Sequence, residues 1–291
     1  MDKSDILSKG ALLQRDANTY AVTLRLTAGV IDLPTARRIA DVAERFGVQV
    51  LKITGDARLA MIGVKEEDID PIYEALGSKG QAGVQLCQQY VKACPGNAFC
   101  RRGQQDTLAL AGKIEQRFYP YPKILSKIKI GIAGCFNSCA EPAIKDIGLV
   151  GLPKGWLLML GGAGGLEPTI AETVARDLKD EEVLEIVGKV LNYYAGASKA
   201  HRTRNKRLGA IMGIQGREQL LGACGLKHEG RSEIKADARQ WTCSKCGCSY
   251  DQAAGDPANG VAAGKPFEAL PDSWFCPTCG VGKEFFTDTC G

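Results

Sequence analysis

Histidine is almost missing from this chain, with two in 291 residues. Any metal site it holds must draw mostly on other donors. Long apolar runs are missing too. None reaches the roughly 18 residues of a membrane helix, because Gly151, Gly155, Gly161 and Gly162 interrupt the most apolar stretch. The opening Met1-Asp2-Lys3-Ser4-Asp5 lacks an apolar signal region, which points away from secretion and toward the cytoplasm. A disulfide framework is then a poor use for the 12 cysteines present. Thiolate ligation of metal is the better expectation.

What is present begins with that cysteine and with glycine: 35 residues, about 12% of the chain, where about 7% is usual. The net charge of +4 is uneven. Residues 241–291 carry three basic and six acidic residues, and the remainder carries 34 basic and 27 acidic. A basic body thus bears an acidic tail module. Such a body suits an anionic cofactor or substrate, or nucleic acid.

Tyr20, Val22, Leu24 and Leu26 alternate with Thr19, Thr23, Arg25 and Thr27, which predicts a half-buried strand. Asp32 then caps a helix with Pro34 in its first turn and Ile39, Val42, Ala43 and Phe46 as its apolar stripe. Strands are expected over 48–54 and 59–64 and a helix over 66–76, giving an α+β unit of ferredoxin-like order. Residues 77–107 read as an irregular ligand-holding segment, with Cys87 packed in a helix. A strand over 124–133, strands near 150 and 157–160, and helices over 181–194 and 199–221 follow. Residues 222–240 read as a linker. The expected domains are 1–78, 79–221 and 241–291.

Cys243-Ser-Lys-Cys246 and Cys276-Pro-Thr-Cys279 form two C-x-x-C pairs, which complete an S₄ site suited to iron or zinc. Their 29-residue separation is long for a zinc ribbon, and Trp241, Tyr250, Phe267, Trp274 and Phe286 supply an aromatic core. With Tyr250-Asp251, Gly255-Asp256-Pro257 and Leu-Pro-Asp-Ser-Trp-Phe-Cys-Pro-Thr-Cys-Gly, the segment resembles rubredoxin. The resemblance implies a mononuclear Fe(Cys)₄ centre that carries one electron. Cys248 departs from it, standing where an aromatic residue is usual.

Four further cysteines, Cys94, Cys100, Cys135 and Cys139, lie in glycine-bearing loop text, spaced C-x₅-C and C-x₃-C. Cysteine can be an inert buried residue, but four thiols in such loops suit an iron–sulfur cluster. Roughly residues 10–221 are similar to the siroheme and [4Fe-4S] sulfite and nitrite reductases. The likeness rests on those cysteines, on Asp146-Ile-Gly-Leu-Val-Gly and on Gly155-Trp-Leu-Leu-Met-Leu-Gly-Gly-Ala-Gly-Gly. It implies that Cys94, Cys100, Cys135 and Cys139 hold the cluster, with Cys139 bridging to siroheme. Arg25 and Arg58 match the family's arginine motifs, and Lys127 and Lys129 match its Lys-x-Lys pair. At roughly 6–7 Å apart on one strand face, alternate lysines can meet one small anion; a solvated strand face is the plainer alternative. Asp56 and Ala57 stand where the family's Thr-Gly-Gly-Gln-Arg has Gly and Gln. Arg101 and Asn137 are expected cofactor contacts.

The implied activity is six-electron reduction of sulfite to sulfide, with electrons relayed from the rubredoxin-like module. Nitrite reduction to ammonia is one alternative, and a non-catalytic electron carrier or redox sensor is another. A protein electron donor is expected, and neither nucleic acid nor a membrane. The family's larger members hold two copies of these halves and this chain holds one, so a homodimer is a further expectation. Cys87, Cys224, Cys248 and Cys290 do not group by spacing.

Overall fold

A computed structural model describes residues 3–77, 89–119, 127–200, 207–226, 241–244, 248–277 and 281–288, except the side chains of Gln89 and residues 198–200. The chain forms two compact units, Met1–His228 and Glu229–Gly291.

The first unit opens with a four-stranded antiparallel sheet. Its strands are β1 (Ala11–Leu13), β2 (Tyr20–Leu24), β3 (Val50–Ile53) and β4 (Leu59–Val64), in the order β1-β2-β4-β3. The expected alternation on β2 is present, with Tyr20, Val22 and Leu24 buried. Asp32 caps helix α1 (Leu33–Arg45) by accepting the Thr35 N–H at 2.7 Å. The α1 stripe of Ile39, Val42 and Ala43 packs against β2 and β4. The helix expected over 66–76 is a 3₁₀ turn at Glu66–Asp68 followed by α2 (Ile69–Ala75). Pro71 explains the split: lacking an N–H, it fits only the first turn of an α-helix.

Residues 77–107 are not wholly irregular. They contain strand β5 (Gln89–Ala93) and a single helical turn, α3 (Gly96–Phe99). Strand β5 pairs in parallel with β6 (Ile128–Ala133), and β6 with β7 (Ile147–Leu152). Strands β8 (Gly155–Leu160) and β9 (Glu172–Leu178) complete the sheet antiparallel, in the order β5-β6-β7-β8-β9. Strand β7 is buried along its whole length, as its unbroken apolar text requires. Helices α4 (Thr107–Phe118), α5 (Asp180–Ala200), α6 (Leu208–Gln215) and α7 (Arg217–Cys224) contribute the rest of this core. Ile132, Ile147, Leu149, Leu158 and Leu160 are fully buried there, each contributing about 1.5–3 kcal/mol by leaving water. Helix α7 runs through Cys224, three residues into the stretch read as linker, and the Cys224 side chain sits in this core. No helix among the described residues is long and apolar enough to cross a membrane.

The second unit holds a three-stranded antiparallel sheet. Strand β10 (Trp241–Cys243) lies between β11 (Ser249–Tyr250) and β12 (Phe286–Asp288). Aromatic rings fill its centre.

Candidate active site and iron centres

The two cysteine pairs of the first unit leave the sheet side by side. Ala93 at the end of β5 is in register with Ile132 on β6. Cys94 therefore leaves one strand where Cys135 is about to leave its neighbour. Carboxyl ends of adjacent parallel strands are the usual place for a ligand in such sheets. The loops are held close by glycine. A Cβ on Gly134 would stand 3.0 Å from the Gly96 Cα and 3.4 Å from the Gly103 Cα, and one on Gly103 would meet the Asn97 nitrogen at 2.3 Å. The Gly134 N–H donates to the Cys94 Sγ at 3.1 Å, and the Cys94 N–H donates to the Ile132 carbonyl. An N–H aimed at a sulfur is the environment a cluster thiolate needs. Cys94, Cys100 and Cys135 are half-buried and Cys139 is exposed. Among the described residues no three cysteine, histidine or acidic side chains close around a single-ion position. A four-iron cube is larger than one ion, so its ligands stand further apart.

Of the predicted anion-binding residues, two come together and two stand apart. Arg58 and Lys129 come together around Tyr90. Tyr90 is in register with Lys129 across β5 and β6, and the Arg58 guanidinium lies 5.6 Å and the Lys129 ammonium 5.0 Å from its ring centre. Arg58 is buried and ends the turn between β3 and β4, where its N–H bonds to the Thr54 hydroxyl. Lys129 also pairs with Asp56 of that turn at 3.5 Å. Arg25 is drawn elsewhere: its guanidinium pairs with Glu115 on α4 at 3.0 Å and stacks over Tyr119. Its other terminal nitrogen is buried with no hydrogen-bond partner, so it retains a donor. Lys127 precedes β6 and is exposed, its carbonyl accepting from the Tyr194 hydroxyl at 2.9 Å. Arg101 and Asn137 are exposed beside Cys100 and Cys135.

Sequence reasoning did not assign Tyr90, Glu115 or Asp146 a role. Tyr90 stood in text read as irregular, although the alternation of Tyr90 and Lys92 with Val91 is a strand signal. Asp146 is fully buried and accepts the Lys129 N–H at 2.7 Å, the Leu208 N–H at 3.1 Å and the Arg207 guanidinium at 2.7–2.9 Å. Burial pushes its carboxyl up, and Arg207 and the two N–H groups pull it back toward the ionised form. Burial likewise lowers Lys129, opposed by the Asp56 carboxylate. Glu141, two residues after Cys139, bonds Lys145 at 2.8 Å and Lys92 at 2.9 Å, which hold its carboxyl down at about 2.

In the second unit Cys243 and Cys276 are buried and head two loops closed in the same way. The Cys243 N–H donates to the Cys248 carbonyl at 2.8 Å, and the Cys276 N–H donates to the Val281 carbonyl at 2.8 Å. Each bond spans five residues, so each loop carries one member of a C-x-x-C pair at its head. Cys246 and Cys279 lie outside the described residues, as do Cys87 and Cys290. Trp241 stacks on Phe267 with ring centres 4.5 Å apart, and Tyr250, Trp274 and Phe286 pack around them. The Trp274 indole N–H donates to Asp256 at 2.9 Å and the Tyr250 hydroxyl to the Lys265 carbonyl at 2.7 Å. Both buried polar rings are thereby satisfied.

Paired cysteine loops on an α+β body, followed by a small thiolate unit with an aromatic core, define an iron–sulfur oxidoreductase. The chain belongs to the nitrite and sulfite reductase family. Residues 12–79 match the nitrite/sulfite reductase ferredoxin-like half domain, residues 87–231 the nitrite and sulphite reductase 4Fe-4S domain, and residues 240–286 rubredoxin. An assimilatory-type sulfite reductase of Nitratidesulfovibrio vulgaris is 37% identical over 217 residues, which is 98% of that protein and 74% of this chain. A Bacillus subtilis nitrite reductase [NAD(P)H] is 37% identical over 184 residues, 63% of this chain and 23% of that protein. Among solved structures, dissimilatory sulfite reductase I shares the fold with a TM-score of 0.64 at 14% identity, over 73% of this chain and 70% of that one. The family's cofactors are siroheme, a [4Fe-4S] cluster and, for the rubredoxin domain, a mononuclear iron. The donor sets fit them: thiols with an N–H directed at sulfur for the cluster, cationic side chains for a carboxylate-bearing macrocycle, and matched cysteine loops for the single iron.

Proposed function

We propose that this chain reduces sulfite to sulfide, with electrons entering through its rubredoxin domain. The observation that carries the reading is the placement of two cysteine loops at the carboxyl ends of β5 and β6, strands that also present Tyr90 and Lys129 beside Arg58. Cys94, Cys100, Cys135 and Cys139 would hold the cluster, and Cys139, the exposed member, would also serve siroheme. Cys243, Cys246, Cys276 and Cys279 would hold the mononuclear iron. When bound, these groups supply single electrons and the iron at which the anion is reduced. The chain's own side chains bind and orient that anion. Arg58, Lys127 and Lys129 offer charge-assisted hydrogen bonds to its oxygens, and Arg25 offers the donor left over from Glu115. Lys129, lowered by burial, gives up a proton more readily than a solvated lysine and suits proton delivery to a leaving oxygen.

Nitrite is the second reading, favoured by the equal identity of the Bacillus nitrite reductase. The anaerobically purified chain is expected to show siroheme absorption bands and to turn over sulfite with a low-potential donor. Much faster ammonia formation from nitrite would favour the second reading. Absence of siroheme bands after expression with adequate siroheme supply would leave an electron carrier.

A further inference from the structure

The turn between β3 and β4 carries an acidic residue where the resembled motif has glycine. Asp56 reaches Lys129 at 3.5 Å with both side chains half-buried, 31% and 24% exposed. Burial and the same carboxylate raise the Tyr90 hydroxyl, and the Tyr90 ring lies under the Lys129 ammonium. Asp56, Tyr90 and Lys129 thus form one contact group drawn from a hairpin turn and two parallel strands.

The charged groups around Lys129 single out Asp56. Arg207 and Lys145 also face it and repel it, but each has a carboxylate of its own. Arg207 is taken by Asp146. Lys145 is taken by Glu141, which also binds Lys92. Asp146 touches Lys129 through the backbone N–H. Asp56 is therefore the carboxylate that answers the Lys129 ammonium.

We propose that Asp56 is a positioning residue that fixes the Lys129 ammonium beside Tyr90 and aims it at the anion. The proposal rests on Lys129 being an anion ligand, as argued above. A glycine at this position would leave a four-carbon side chain to find its geometry at each binding event. With Asp56 present, much of that rotamer entropy is lost before the anion arrives. The carboxylate also opposes the burial that weakens the lysine's hold on its proton. Without it the ammonium discharges at lower pH.

The test uses the full holoprotein carrying Asp56→Asn, Asp56→Ala, Lys129→Ala or Asp56→Ala with Lys129→Ala. Sulfite is titrated against the cofactor absorption bands, without an electron donor, across alkaline pH. Both Asp56 variants are expected to lose sulfite binding at lower pH than the parent. In steady state Asp56→Ala lowers kcat/KM about tenfold, Asp56→Asn lowers it less, and Asp56→Ala adds nothing once Lys129 is alanine. An unmoved alkaline limit, or an Asp56→Ala loss that persists in full in the Lys129→Ala background, would overturn the proposal. A parent protein that binds and reduces neither sulfite nor nitrite would instead overturn the functional reading.

Discussion

Asp146 sits at 0% exposure and takes its bonds from three places: the Lys129 backbone, the start of α6 and the Arg207 guanidinium. Removing one partner of a buried pair leaves the other uncompensated, at a cost of about 3–5 kcal/mol. Asp146→Ala should therefore lower the first unit's stability by that amount, read from the urea midpoint of its own transition. A drop under about 1 kcal/mol would mean that water replaces the carboxylate. Gly134 makes a different prediction. Its missing Cβ lets the two cysteine loops touch, so Gly134→Ala should reduce iron and acid-labile sulfide per chain while far-ultraviolet circular dichroism stays near that of the parent. At this scale the cysteines, Arg58 and Lys129 could be picked out as candidates because each motif is local. The partners were not, because Glu115, Tyr90 and Asp56 come from separate elements that meet only after folding.

Elements were legible where one face is buried and the other wet. The alternation of β2 and the capped stripe of α1 are examples. Strand β5 was obscured by its glutamine-rich surroundings, and its place is set by parallel pairing with β6, a partner 39 residues away by register. The end of α7 was obscured by Gly222 and Gly225, which read as linker text. Cys224 between them is 2% exposed, and burial pushes its thiol up to about 11. Alkylation of the folded protein near pH 8 should accordingly spare Cys224, checked by peptide mass spectrometry. The sign for stability follows from linkage. A raised folded-state value stabilises below the unfolded thiol's value of about 8.5, and that contribution is lost as pH rises toward about 11. The parent's urea midpoint should fall across that window by more than that of Cys224→Ala.

For the molecule as a whole, charge is divided unevenly along the chain. The rubredoxin segment has six acidic and three basic residues and the rest of the chain is net basic. The match to the Nitratidesulfovibrio protein covers 98% of that relative but 74% of this chain, and residues 240–286 match rubredoxin. The contribution of this rubredoxin segment can be isolated by filling it with zinc. Zinc takes the same four-thiolate tetrahedron but has no redox chemistry, so the fold is kept and the electron step is not. With zinc there and the native cofactors in the body, sulfite reduction driven by a small low-potential dye should stay near the parent rate, since such a dye can reach the body directly. Reduction driven by a protein donor should fall at least about tenfold, a barrier difference of about 1.4 kcal/mol. Equal rates from the protein donor with zinc or iron in place would show that electrons bypass the rubredoxin domain, and its aromatic core and matched cysteine loops would then need another use.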